Sequence, residues 1–464
     1  MKKIMILAAS AALVLAGCAK MQTIETNEGT PVGFSAYSGN ALTKAGSYDV
    51  MTTANLKTSG FGVFAYQTSG NYTGGIAPNF MYNQKVSGDT WTYSPLKYWP
   101  NQINGDSSNS GNADSQTQSA QSYNVDKISF FAYGPYIDVT PSTGDPVSPA
   151  ANLSDAVGIT ALSNYTATTD PIVSYKVTTD LTKQVDLIWG VSHGETWTNV
   201  ANGSNTPTKY LPWLDLQKPA IGTKINFHFY HALAQLRVRA LAAINSTTAN
   251  DNSTPGTRET AEGDNVTKIV IEKVEITSSD LYETGDLNLK NTETVDDNND
   301  GTPDRPLANW DHQVAFTGEQ GLTIENPNIN AKLYGNGTSF PATTVPGVIY
   351  EAESVAGNDE DVDVIKDSKY YTLIPVTPTE PAKVTFNVKV TYHVLTKDTN
   401  LSTGFSSVKN VISHDVEFDK LEAGKRYTIK MILGISEVKF EAEVSDWTDG
   451  NEGEVNLPQN VAGA

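Results

Sequence analysis

The stretch Lys383-Val384-Thr385-Phe386-Asn387-Val388-Lys389-Val390 sets Val384, Phe386, Val388 and Val390 at every second position, with Lys, Thr and Asn between them. Side chains of an extended strand point alternately to opposite faces. The pattern therefore predicts a strand with one buried and one wet face, the arrangement of antiparallel sheets packed on a core. The same signal recurs on both sides of it. Val32, Phe34 and Ala36 share a face in the run 32–37, and Phe61 to Tyr66 reads as a second strand. In Lys127 to Tyr133, Ile128, Phe130 and Ala132 oppose Ser129, Phe131 and Tyr133. Runs at 172–177, 185–189, 224–231, 268–277, 371–376, 411–418, 426–433 and 437–444 are rich in Val, Ile, Tyr, Phe or Thr and are flanked by turn residues. No long amphipathic helix and no alternation of strand and helix is visible, so the prediction is an all-β chain of antiparallel β-sandwiches.

Composition bounds what such a chain can do. Its 464 residues suffice for two or three domains, and a boundary is expected near Pro219. The formal charge of −20 argues against a nucleic-acid partner, because phosphate binding needs clustered Lys and Arg. A single Cys excludes a disulfide framework and any four-thiolate or Cys₂His₂ zinc site.

That Cys has a place of its own. Lys2 and Lys3 precede the apolar run Ile4 to Leu15, which falls short of the roughly 20 residues of a membrane-spanning helix. Leu15-Ala16-Gly17-Cys18 follows and resembles the bacterial lipobox. Residues 1–17 are therefore expected to be a lipoprotein signal peptide, with Cys18 as the lipidated residue. The mature chain would then be held at a membrane by acyl chains rather than by a helix.

Three patterns carry chemistry elsewhere in the chain. Gly190-Val191-Ser192-His193-Gly194 matches the nucleophile elbow G-x-S-x-G, but turn residues follow where the elbow needs a helix, so a hydrolase is disfavoured. Asp296, Asn298, Asp300, Thr302 and Asp304 stand at the spacing of a calcium loop with Gly301 at its turn, yet Leu307 takes the place of the final bidentate Glu. The alternatives there are bound Ca²⁺ and an acidic surface turn. Trp91, Tyr93, Tyr98 and Trp99 would suit sugar stacking or, more ordinarily, a core. His228 and His231 are three apart on a strand and point to opposite faces, so they cannot simply share a metal.

Four features together resemble the fimbrillin family of Bacteroidales pili, the type V pilins. They are the lipobox at Cys18, the early strand Pro31 to Tyr37 followed by Thr43-Lys44-Ala45, the run Phe227-His228-Phe229-Tyr230-His231-Ala232-Leu233-Ala234-Gln235-Leu236, and the closing Val444-Ser445-Asp446-Trp447-Thr448-Asp449-Gly450. The resemblance implies two transthyretin-like β-sandwich domains with Greek-key-type connections, at 45–220 and 221–464, behind a tether at 18–44. It implies a surface-exposed subunit of a fimbrium at the outer membrane, assembled by strand exchange with other pilin subunits and serving adhesion to a host glycan or protein receptor. Val32, Phe34 and Ala36 would then be the removable placeholder and Lys44 the point of proteolytic cleavage. Val444, Trp447, Val455 and Leu457 would be candidates for the donated strand. Rival expectations are a tip or anchor subunit of the same pilus and a glycan-binding surface lipoprotein that never polymerises.

Overall fold

A computed structural model describes residues 30–38, 51–100, 126–139, 158–181, 183–198, 204–205, 208–219, 223–242, 267–291, 293–316, 322–325, 348–349, 362–364, 370–378, 382–397, 400–402, 405–433 and 438–447. Cys18, Lys44, Val455 and Leu457 lie outside these residues. The described chain is mostly β, in several sheets with one helix. No helix among the described residues is long and apolar enough to cross a membrane.

The largest sheet has seven strands. Its main path runs Phe34–Tyr37, Ile225–His231, Ile188–Val191, Lys127–Gly134, Phe61–Thr68 and Met81–Val86, and Trp213–Leu216 also pairs with Lys127–Gly134. The alternation in Lys127–Gly134 has a direct consequence here. Ile128, Phe130 and Ala132 enter one aromatic core with Phe34, Phe61, Trp99 and Trp213, whereas Phe131 and Tyr133 enter a second with Phe64, Tyr66 and Trp189. The sheet is thus buried on both faces, which explains why its central strands carry apolar residues at nearly every position.

The second core is continuous with the rest of the molecule. It fills the space under a four-stranded sheet and between two five-stranded sheets. One five-stranded sheet carries Ala234–Ala242, Lys425–Leu433 and Val438–Asp446. The other carries Thr267–Thr277, Val384–Lys397 and Phe405–Phe418. Val384, Phe386, Val388 and Val390 are all buried, as their alternation requires.

One expectation is corrected, and two further features stand out. Pairing is not uniformly antiparallel: Phe34–Tyr37 lies parallel to Ile225–His231, and Ala234–Ala242 lies parallel to Lys425–Leu433. Ile225–His231 belongs to the seven-stranded sheet, and the chain changes sheet between His231 and Ala234. The four-stranded sheet draws Ile159–Leu162 and Ile172–Lys176 from one side of that point and Tyr282–Asn288 and Asn309–Ala315 from the other. Just before Phe61 the chain forms a helix, Thr53–Ser59. Thr52 caps it by accepting the Asn55 N–H on its side chain, Leu56 is buried beneath it, and Gly60 ends it at φ 79°. One buried apolar residue in seven leaves no helical periodicity to read, and only the cap residues signal the ends.

Candidate functional site

The first strand occupies an edge of the seven-stranded sheet, where it can be examined face by face. Its backbone pairs with Ile225–His231 in the register Phe34 to Ile225 and Tyr37 to His228. Inward, Val32, Phe34 and Ala36 are buried. Phe34 is the centre of this face. Its ring centroid lies 5.4 Å from Tyr93, 5.9 Å from Phe130, 6.1 Å from Phe227 and 6.4 Å from Phe61. Burial of a Val or Phe side chain stabilises by about 1.5–3 kcal/mol each, so this short strand is held chiefly by its inward side chains.

The aromatic stretch around residues 91–99 walls the same strand. The Tyr93 hydroxyl donates to Val32 O at 2.8 Å, Val32 N–H donates to Lys97 O at 2.8 Å, and Trp99 N–H donates to Thr30 O at 2.9 Å. Trp99 is itself buried against Trp197 and Phe130. Trp91 packs on Phe61, and of the four aromatics only Tyr98 is exposed. They therefore form no exposed row for stacking a sugar. Sequence reading missed this wall, since nothing local links residues 91–99 to residue 34.

The outward face is polar. Ser35 Oγ donates to Asn226 Oδ1 at 3.0 Å, and the Tyr37 ring lies 5.7 Å from His228. His228 pairs with Glu195 at 2.9 Å and stacks on His193 at 4.6 Å. Glu195 also accepts from Asn226 Nδ2 at 2.9 Å and from the His193 N–H at 2.8 Å. Burial raises the Glu195 pKa, but the hydrogen bonds from His228 and the backbone outweigh it and pull the group down from 4.5 to about 2. His193 is held below its ordinary 6.5, first by burial and then by the charges of His228 and Lys209. Both shifts have the same sign in linkage. The unfolded chain takes up protons that the folded chain refuses, so the stability from these groups is whole above pH 6.5. It is lost in part as His193 is protonated and further as the pH falls from 4.5 toward 2. A Glu195→Gln variant should flatten the acid limb between those last two values, measured as urea midpoint against pH. Identical acid limbs in parent and variant would refute this assignment.

The strand's far end is tied to a second cluster. Ser38 Oγ donates to Met51 O, and Thr53 N–H donates to Ser38 O at 2.9 Å. Met51 N–H donates at 2.7 Å to Oδ2 of Asp186, which is fully buried. The other Asp186 oxygen lies 2.9 Å from His231 Nδ1. On the His231 ring rests Trp447, 4.1 Å away and within 7° of parallel. A charged residue inside the apolar run Val185-Asp186-Leu187 was the available signal for this cluster.

The remaining candidates are placed as follows. Trp447 is buried in its own subunit, and Val444 stands opposite Tyr427 with its side chain 52% exposed. Val444 is thus paired within the chain's own sheet, and Trp447, just beyond it, donates its backbone N–H to Gly424 O at 2.9 Å. In the G-x-S-x-G stretch, Ser192 is buried, its Oγ donates to Thr208 O at 3.1 Å, and a two-stranded hairpin follows instead of a helix. Gly190 is there for packing, because an added Cβ would stand 2.9 Å from the Phe227 ring. Ser192 is therefore not presented as a nucleophile on an elbow. The acidic loop closes on itself. Asp296 accepts the N–H groups of Asp300 and Gly301, Asn298 that of Asp300, Asp300 that of Thr302, and Asp304 that of Asp297. Asp297 is held low by its two-pronged pair with Arg305, which also reaches Glu422. The loop is an acidic turn stapled by Arg305, and among the described residues no group of three His, Cys, Asp or Glu could hold a metal ion.

Comparison with known proteins bears on the whole chain. No family model matches it. It is 23% identical over 468 residues to the fimbrium subunit Fim1C of Phocaeicola vulgatus, covering 96% of this chain and 97% of that protein. A crystal structure of a fimbrial protein from Bacteroides vulgatus shares the fold, with TM-score 0.53 and 20% identity over 90% of this chain and 99% of that one. A fimbrial assembly protein from Parabacteroides distasonis covers 90% of this chain and 98% of that one at 10% identity, but its TM-score of 0.29 carries no argument. Over nearly its full length, the chain is similar in sequence to the Phocaeicola fimbrium subunit and in fold to the Bacteroides fimbrial protein.

Proposed function

We propose that the chain is a subunit of a cell-surface fimbrium that acts by assembly and adhesion, not by catalysis. In this reading it is lipidated at Cys18, exported to the outer membrane, and built as two transthyretin-like sandwiches that meet between His231 and Ala234. Val32 to Tyr37 is a placeholder strand. Cleavage at Lys44 frees it, and a strand from the next copy refills the groove. One observation supports this best: a short strand at a sheet edge places Val32, Phe34 and Ala36 in the core through side chains two apart. Its loss would leave an unpaired sheet edge above an apolar trough, which an extended segment can refill. Such a contact is heterologous and open-ended, so it propagates as a filament.

Treatment of the purified precursor with a trypsin-like protease should give a new N-terminus just after Lys44 and SDS-resistant ladders. A precursor that is not cut there, or that is cut and forms no ladder, would sink the polymerising reading. A second reading, a tip or anchor subunit, draws support from the closing strand. Val438–Asp446 pairs along its whole length with Lys425–Leu433 of the same chain, which leaves the donated strand to residues 448–464, outside the described residues. A cut chain that accepts a synthetic peptide of the 30–38 sequence but never forms ladders would favour that reading.

A further inference from the structure

The strand Phe405–Phe418 ends its five-stranded sheet, and among the described residues no strand lies beyond it. It is 14 residues long and pairs with Val384–Lys397 over its full length without a bulge. It contains no Pro. Val408 and Val411 are 57% and 53% exposed along it. Natural sheet edges are usually kept short, bulged, kinked by Pro or guarded by charge, because a long flat edge offers its backbone groups to any extended partner. The stacking of His414 on Phe440 at 5.2 Å fixes this edge against the facing sheet.

The sequence of the strand says what fits it. In an antiparallel pairing of two copies centred on Ile412, Lys409 of each copy faces Asp415 of the other. Val411 then faces Ser413, Val408 faces Val416, Asn410 faces His414, and Ile412 faces its own counterpart. The one Lys on the edge becomes a complement rather than a guard, and Val408 and Ile412 each oppose an apolar residue. Directly opposed pairs of this kind set both stability and register. Centring the pairing on Ser413 would trade the Lys409–Asp415 match for Lys409–Glu417, but it would set Val411 against Asp415 and Ile412 against His414. Centring it on Val411 would face Lys409 with Ser413. The other sheet's closing strand, Val438–Asp446, lacks this complementarity, since pairing with itself about Ala442 opposes Glu441 to Glu443.

We propose that the outer edge of Phe405–Phe418 is a two-fold interface between copies of this chain. The contact is isologous and closed. It joins subunits side by side, lies away from the first-strand groove, and does not depend on the proposed head-to-tail assembly. Lys409 keeps its intramolecular pair with Glu272 at 2.8 Å while half exposed, so its ammonium still has donors for a second carboxylate.

Sedimentation of the full chain over a concentration series tests the interface. The parent should show a concentration-dependent dimer. Lys409→Glu alone and Asp415→Lys alone should each remain monomeric, because each opposes like charges twice. An equimolar mixture of the two variants should regain the dimer, because every facing pair is again of opposite sign. Val411→Asp, at an exposed position that leaves the Glu272 pair intact, should also be monomeric with an unchanged circular dichroism spectrum. The proposal is overturned by a parent that stays monomeric, by a mixture that associates no more than its components, or by a folded Val411→Asp variant that dimerises like the parent.

Discussion

Replacing Phe34 by Ala is expected to cost about 3–5 kcal/mol, the range for truncating a fully buried Phe. The site cannot easily collapse to soften the loss. Four rings surround Phe34, and three of them, Phe61, Phe130 and Phe227, stand on other strands of the same sheet. The urea midpoint should fall accordingly, while Tyr37→Ala, at a position 45% exposed, should move it by only a few tenths of a kcal/mol. A Phe34→Ala loss no larger than that of Tyr37→Ala would mean that the first strand is not held by its inward face. Stability lost at Phe34 is also the stability that a refilling strand would have to restore, so the same variant measures how deep the groove is.

The second large effect is expected at Asp186. Replacement by Ala removes the acceptor of the Met51 N–H and the partner of His231 in one step, at a site fully closed to water. Leaving the partners of a buried, hydrogen-bonded carboxylate unsatisfied typically costs about 1–3 kcal/mol for each group, because the abandoned partner stays desolvated. Asp186→Asn keeps an acceptor for Met51 and should cost clearly less. The difference between the two variants, read from urea midpoints, separates the hydrogen bond from the charge. Equal losses would show that charge is the whole effect, and an Asp186→Ala variant as stable as the parent would refute the assignment. Trp447 rests on the imidazole that Asp186 orients, so the environment of that indole should change in the same variants.

The strands were legible wherever alternation was strong. Val384 to Val390, Lys127 to Tyr133 and Val32 to Ala36 each bury the face that their spacing announces. Partners were not legible, because pairing joins residues far apart in sequence. Phe34 is set beside Ile225 and Tyr93, and nothing near Phe34 specifies either. The parallel pairings, and the change of sheet between His231 and Ala234, have the same origin. Ile159–Leu162 is only four residues long and pairs across a register shift, which leaves no periodicity to detect. In the candidate site, the inward triad of the first strand was legible from its face. Asp186 carried only the signal of a charge within an apolar run and Glu195 none, since single carboxylates among 52 acidic residues are otherwise distinguished only by burial and by the histidines that reach them.

The shared four-stranded sheet has a consequence for how the chain comes to be folded. Ile172–Lys176 sits between Ile159–Leu162 and Tyr282–Asn288, with Leu287 opposite Val173 and Ser174 Oγ donating to Asp286 at 2.6 Å. Tyr175 reaches further still, to Thr372, whose N–H and hydroxyl both donate to Gln184 Oε1 at 2.7 Å. A chain made from its N-terminus cannot complete this layer until more than a hundred further residues have emerged. Until then the underside of the seven-stranded sheet, with Phe64, Tyr66 and Trp189, lacks its cover. Contacts of such long sequence separation make folding slow and expose apolar surface on the way. The first half of this polypeptide is therefore not a finished body awaiting a second one: maturation of the molecule is a single late event that needs almost the whole chain.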